Sequence, residues 1–139
     1  MAKATVLIVE DTLDIALTLA DAFRFAGFTV QLAPDAVQAL QLASEFRPNI
    51  IIMDIQLPDL DGLSTAETLK RDPATRHIPI IAMTAHAIEG HQAKILSRTC
   101  AGYCQKPVRP RDLITLATAV LSQPPHSGPK PPRPMASAG

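Results

Sequence analysis

Apolar positions along the chain follow two patterns that take turns. Val6-Leu7-Ile8-Val9, Ile50-Ile51-Ile52-Met53 and Ile78-Pro79-Ile80-Ile81-Ala82-Met83 are short, nearly unbroken apolar runs rich in Val and Ile. Such runs suit strands buried on both faces, as in a parallel sheet with helices on each side. Phe28-Thr29-Val30-Gln31-Leu32 and Gly102-Tyr103-Cys104 are weaker strand candidates. Pro79 has no N–H to give to a ladder, so it marks the start of its strand. Between these runs the spacing changes to that of a helix. Leu13, Ala16, Leu17, Ala20 and Phe23 fall on one helical face, and Gly27 follows as a C-terminal cap. Ala36, Ala39, Leu40 and Ala43 repeat the pattern, with Asp35 placed in the first turn as the helix dipole prefers. Further helices are predicted over about 63–70, 88–98 and 111–121, and Asp72-Pro73 breaks the first of these. Five β-α units in succession predict an α/β fold: a doubly wound, five-stranded parallel sheet with right-handed crossovers and five helices.

From Gln123 the pattern stops. Pro124, Pro125, Pro129, Pro131, Pro132 and Pro134 crowd a segment with almost no large apolar residue. The division expected is therefore a domain over 1–122 and a Pro-rich, extended and disordered tail over 123–139. The Pro-X-X-Pro spacings in it arise easily in any such tail, so a solvated spacer is preferred to a proline-recognition ligand. Lys plus Arg and Asp plus Glu balance at 13 each, which gives no bulk charge for nucleic acid or a membrane surface. The first apolar run is too short for a secretory signal, and no stretch reaches the ~18–20 apolar residues of a membrane helix. A cytoplasmic, soluble protein is expected. Cys100 and Cys104 cannot form a disulfide framework and read as small buried hydrophobes or surface thiols.

In an open α/β sheet, sites form beyond the carboxyl ends of the strands. The first run ends at Glu10-Asp11, the third strand at Asp54 and the fourth at Thr84, and Lys106 closely follows the fifth. Three carboxylates, a hydroxyl and an ammonium thus converge on one edge of the sheet. Two carboxylates about 4 Å apart repel by ~4 kcal/mol at an effective dielectric near 20. Three together at neutral pH require a cation or a raised pKa, and Lys106 neutralises only one. Hard oxygen ligands with open positions suit Mg²⁺. A carboxylate beside Mg²⁺ and a lysine can attack phosphorus, with the metal and lysine holding the resulting charge. Thr84 offers a donor to one phosphoryl oxygen. Taken singly, each residue has a plain structural explanation, as helix cap, strand end or surface charge; the joint placement is what points to phosphoryl transfer.

At these residues the sequence resembles the receiver domain of two-component response regulators, the family that includes the chemotaxis response regulator. The likeness runs from about residue 3 to residue 121. Val6-Leu7-Ile8-Val9-Glu10-Asp11 is similar to the family's first strand and acidic pair. Asp54-Ile55-Gln56-Leu57-Pro58-Asp59-Leu60-Asp61-Gly62 resembles the phosphoacceptor and its loop, with Leu57 where Met is common. Ile80-Ile81-Ala82-Met83-Thr84-Ala85 resembles the switch-threonine strand, and Gly102-Tyr103-Cys104-Gln105-Lys106-Pro107 the aromatic switch and Lys-Pro pair. The resemblance implies a flavodoxin-like strand order of 2-1-3-4-5. It implies that Asp54 accepts a phosphoryl group, that Asp11 binds Mg²⁺ directly and Glu10 through water, and that the backbone carbonyl of Gln56 completes the protein ligands. Thr84 and Lys106 would contact the phosphoryl oxygens, and Tyr103 would rotate inward as Thr84 moves. Ala85 is small enough to leave the group accessible. Lys106-Pro107 is typically a cis peptide in this family.

Gln56 and His86, each two residues beyond Asp54 and Thr84, flank the path of the hydrolytic water in the family and would tune phosphate lifetime. His86 positions that water, blocks it or lies on the surface, and the sequence does not choose. A zinc site from His86, His91, Cys100 and Cys104 is disfavoured because the predicted elements scatter them. An aspartyl-phosphate hydrolase would want a second Asp where Gln56 stands. A flavodoxin-like cofactor carrier would want a Ser/Thr/Gly phosphate loop where Glu10-Asp11 repels phosphate. A vestigial binding module does not explain the intact Asp54, Thr84 and Lys106. The expected protein is therefore a single-domain phosphoacceptor switch, with intrinsic autophosphorylation and autodephosphorylation, rather than a turnover enzyme. Its expected partners are a histidine kinase or histidine phosphotransfer protein and a downstream protein target, met by the surface of the fourth helix, fifth strand and fifth helix. It is expected to be a monomer or weak dimer.

Overall fold

The computed structural model describes residues 4–123 and the pair Arg133–Pro134. Strands β1 (Thr5–Val9), β2 (Thr29–Ala33), β3 (Ile50–Asp54), β4 (Ile80–Thr84) and β5 (Gly102–Gln105) alternate with helices α1 (Leu13–Phe25), α2 (Ala36–Phe46), α3 (Gly62–Arg71), α4 (Gly90–Thr99) and α5 (Pro110–Leu121). All strand pairs are parallel, in the order β2-β1-β3-β4-β5 that the resemblance implied. A sixth short strand, β6 (Arg133–Pro134), lies beside β5, pairing Gly102 with Arg133 and Tyr103 with Pro134. That pair departs from a wholly unstructured tail; the rest of the expected tail, beyond Gln123, falls outside the described residues. Pro134 fits the outer edge of a sheet, where a missing N–H leaves no ladder bond unmade.

The unbroken apolar runs follow from burial on both faces. Leu7, Val9, Ile51, Met53, Ile80 and Ala82 join residues of α2, α3 and α4 in one core. Their alternate neighbours Val6, Ile8, Ile50, Ile52, Ile81 and Met83 join α1 and α5 in the other. Each fully buried Ile or Leu contributes ~1.5–3 kcal/mol relative to exposure, so both faces of the strands stabilise the sheet.

Helix boundaries follow local chemistry. α1 ends in a Schellman motif: Gly27 takes φ 101°, its N–H donates to the Arg24 carbonyl at 3.0 Å, and Phe28 N–H donates to the Phe23 carbonyl at 2.9 Å. The Phe23 and Phe28 rings meet edge to face at 5.0 Å across this turn. The expected apolar face of α1 needs correction. Ala16, Leu19, Ala20 and Phe23 are buried, whereas Leu13 and Leu17 are exposed. Leu17 sits about 100° round the helix from Ala16, beyond the stripe that meets the sheet. Asp35 is the N-cap of α2 rather than a first-turn residue, accepting from Gln38 N–H at 2.8 Å. β4 begins one residue after Pro79, whose carbonyl accepts from Ile51 N–H at 3.0 Å. Cys100 and Cys104 are both buried, in the cores on opposite faces of the sheet. Burial pushes each thiol up to about 11, which keeps both protonated and unreactive.

Candidate functional site

Strand register gathers the site. Val9 pairs with Met53, so Glu10 and Asp54 leave adjacent strands at the same level. Asp54 pairs with Met83 and Thr84 with Gln105, which steps Thr84 and then Lys106 one residue further along the rim. The peptide between Lys106 and Pro107 is cis, and Lys106 N–H donates to the Thr84 carbonyl at 2.7 Å.

The ammonium of Lys106 donates to Asp54 Oδ2 at 2.7 Å and to Glu10 Oε1 at 3.1 Å. Glu10 and Asp54 are each only 2% exposed, while Asp11 is exposed above them. One carboxylate oxygen from each of Glu10, Asp11 and Asp54 lies within 4.8 Å of the others, and no other such group of His, Cys, Asp or Glu occurs among the described residues. Burial pushes the Glu10 carboxyl up; hydrogen bonds from Thr12 N–H and Lys106 oppose this, and the Asp54 charge adds to it. Burial pulls the Lys106 ammonium down, but its bonds to Asp54 and Glu10 outweigh that and hold it above the usual lysine value. Three carboxylates against one ammonium leave an excess of negative charge in a mostly buried place. Hard oxygen donors and surplus negative charge fit a divalent cation of the Mg²⁺ type.

The remaining candidates surround this trio. Gln56 N–H donates to Asp54 Oδ1 at 3.0 Å, which turns the chain sharply after β3. Thr84 Oγ1 donates to the His86 carbonyl at 2.7 Å and accepts from His86 N–H at 3.2 Å, so its hydroxyl is held within its own loop. His86 is exposed, Ala85 is half-buried, and Tyr103 is half-buried against the core on the α3–α4 face. An open cleft of about 460 Å³ lies between the loops that follow β3 and β4, lined by Gln56, Leu57, Asp59, Thr84, His86 and Ile88. The zinc alternative fails in space: the two cysteines lie on opposite faces of the sheet, and His86 and His91 are exposed.

Two features of the β3–α3 loop escaped the sequence reading. Asp61 caps α3, accepting from Leu63 N–H at 3.2 Å. The Asp59 carboxylate accepts from Ala36 N–H at 2.9 Å and Val37 N–H at 3.1 Å, at the start of α2. Those bonds, led by Ala36, hold its carboxyl below the usual aspartate value. An Asp followed by a helical pattern was a readable cap signal for Asp61. Asp59 reaches 23 residues back, and nothing local announces that.

In sequence and in fold the chain is similar to known proteins. The family model for the response regulator receiver domain matches residues 6–118. The polar-differentiation response regulator DivK of Brucella anthropi is 37% identical over 117 residues, covering 84% of this chain and 94% of that protein. A CheY-like response regulator receiver domain protein from Methanospirillum hungatei superposes with TM-score 0.80 at 26% identity, over 86% of this chain and 94% of that one. The receiver domain of a sensor histidine kinase from Pseudomonas aeruginosa, with a magnesium ion coordinated in its active site cleft, gives TM-score 0.79 at 30% identity, over 88% of this chain and 100% of that one.

Proposed function

This chain belongs to the response regulator receiver domain family, and from that premise and the site geometry we propose that Asp54 takes a phosphoryl group from a phosphohistidine on a partner protein, with Mg²⁺ held by Glu10, Asp11, Asp54 and the Gln56 carbonyl. The observation that carries this is the buried Asp54 carboxylate, 2.7 Å from the Lys106 ammonium and within 4.8 Å of two further carboxylates. Asp11, exposed, would be a direct ligand, and buried Glu10 would act through water. When bound, the metal supplies a Lewis acid that draws charge from the phosphoryl oxygens and offsets the carboxylates.

The chain's own residues do the rest. Both Asp54 oxygens already accept hydrogen bonds, from Gln56 N–H and from Lys106. The attacking oxygen forms the O–P bond as the donor's N–P bond breaks, and the electron pair returns to the imidazole nitrogen. Lys106, close enough to follow the charge, then donates to a phosphoryl oxygen. Thr84 must give up the His86 carbonyl before its hydroxyl can do the same. That exchange couples phosphorylation to the β4–α4 loop, and Tyr103 on the neighbouring strand would turn inward as Thr84 withdraws. The face made by α4, β5 and α5 would change with it, presenting or hiding a surface for a downstream protein. Gln56, Ala85 and His86 border the approach to Asp54 and would set how long the phosphoryl group survives. The donor would be a histidine kinase or histidine phosphotransfer protein, and the chain acts as a switch rather than as a turnover enzyme.

The test uses the full chain with Mg²⁺ and a small phosphodonor, followed by intact mass, and with beryllofluoride, followed by NMR at Thr84 and Tyr103. One added phosphoryl group, Mg²⁺-dependent and absent in Asp54→Asn, is expected. Equal labelling of Asp54→Asn, or no response of the wild type to either reagent, would sink the reading.

A further inference from the structure

The β3–α3 loop must hold both Asp54 and the Gln56 carbonyl in place if the acidic trio is to bind a cation. Its two ends are well fixed. Ile55 N–H donates to the Met83 carbonyl at 2.9 Å, Gly62 N–H donates to the Ile55 carbonyl at 2.8 Å, and Gln56 and Asp61 form a bridge. The tip, Pro58, Asp59 and Leu60, is exposed. Among the described residues its side-chain tie to the rest of the fold is Asp59, on the first N–H groups of α2.

The same stretch of chain also touches the other acidic arm. Glu10 N–H donates to the Ala33 carbonyl at 3.0 Å, at the end of β2 and three residues before Ala36. Residues 33–37 carry no candidate ligand, yet they are hydrogen-bonded to the backbone of Glu10 on one side and to the loop after Asp54 on the other. A turn hydrogen-bonded to both sides constrains the loop beyond Asp54 relative to the Glu10-Asp11 arm, and ligand placement decides whether a small cation with strict octahedral demands can be held.

We propose that Asp59 is a positioning residue for the metal site: β1–β3 pairing sets Glu10 beside Asp54, and Asp59, by capping α2, locks the β3–α3 loop beyond Asp54 to the β2–α2 turn and so sets where the Gln56 carbonyl stands relative to the Glu10-Asp11 arm. The proposal deepens the reading of the site given above and rests on it. It makes α2 a strut of the site through the backbone N–H groups of its first turn. Helix stability alone does not require Asp59, because α2 already has its own N-cap in Asp35 on Gln38 N–H.

That second cap supplies the control. Asp59→Ala and Asp35→Ala each remove one capping carboxylate from α2, and only Asp59→Ala frees the loop. Mg²⁺ affinity of the full chain is measured by calorimetry or NMR titration, and melting temperature alongside. Asp59→Ala should weaken Mg²⁺ binding roughly 3- to 10-fold, at or below the low end of what residues behind a metal ligand typically cost. Asp35→Ala should lower the melting temperature and leave Mg²⁺ affinity unchanged. Asp59→Asn keeps one acceptor oxygen and should fall between wild type and Asp59→Ala; it also serves if the alanine variant does not fold. Wild-type affinity in both Asp59 variants, or an equal loss in Asp35→Ala, overturns the proposal while leaving the metal site standing. A wild-type chain that binds no Mg²⁺ overturns the metal reading itself, and this one with it.

Discussion

Glu10 must carry charge where the fold disfavours it. The carboxyl is buried and sits beside Asp54, and the Lys106 ammonium and Thr12 N–H only partly offset that. Its folded-state pKa is therefore raised, so in the acid range the folded chain keeps a proton there that the unfolded chain has already lost. Stability then falls as pH rises from the ordinary glutamate value through the raised one, and above it the cost is complete. Lys106 shifts the other way in effect. Its raised pKa adds stability throughout this window, lost only in the alkaline range above the usual lysine value. Glu10→Gln keeps the shape and discards the charge. Without metal, in chelator, this variant should melt above wild type at neutral pH, the gap closing toward about pH 4 as Glu10 gains its proton in both states. The same variant should bind Mg²⁺ more weakly. A lower melting temperature at neutral pH would mean that the Lys106 pairing outweighs desolvation, and the charge would then be structural rather than held for a ligand.

At the scale of elements, the junction of β3 and α3 leaves little room. A Cβ on Gly62 would lie 2.6 Å from the Asp54 carbonyl oxygen and 2.6 Å from Ile55 Cα, both backbone atoms that cannot turn aside. Gly62→Ala should therefore displace α3 or the loop and cost about 1–3 kcal/mol, as overpacking does. Asp61→Ala, one residue earlier, removes only the N-cap and should cost ~1 kcal/mol. Urea unfolding of the two variants compares them, and equal losses would show that the close approach relaxes freely. This junction also marks how far the sequence could be read. Asp54, Thr84 and Lys106 were legible because each ends or closely follows an apolar run, and parallel register carries run ends to one rim. Asp59 was not, because its partners lie on α2, across a loop whose path no local pattern sets. Leu13 and Leu17 were misplaced because an apolar residue at helical spacing can sit just outside the buried stripe. The Arg133–Pro134 pairing was invisible for the opposite reason: a strand of two residues in a Pro-rich segment has no period to detect.

For the whole molecule, the carboxyl end of the sheet concentrates negative charge that a net balance of 13 basic and 13 acidic residues conceals. Glu10, Asp11 and Asp54 come from two strands far apart in sequence, so they form a cluster only when the chain is folded. A cation that needs the cluster binds the native state and ignores the unfolded one, and mass action then converts its affinity into stability. At a free concentration a hundred times the dissociation constant, that stabilisation is about 2.7 kcal/mol. For a domain of this size it should appear as a rise of roughly 10 °C in melting temperature. The rise should grow with the logarithm of Mg²⁺ concentration and vanish in chelator, and monovalent salt at matched ionic strength should not reproduce it. Asp54→Asn separates the two effects of the charge. It should start from a higher metal-free melting temperature, because the charge that repels Glu10 is gone, and gain far less from Mg²⁺. An equal Mg²⁺ increment in Asp54→Asn and wild type would place the cation elsewhere on the surface and remove the physical reason for gathering three carboxylates at this rim.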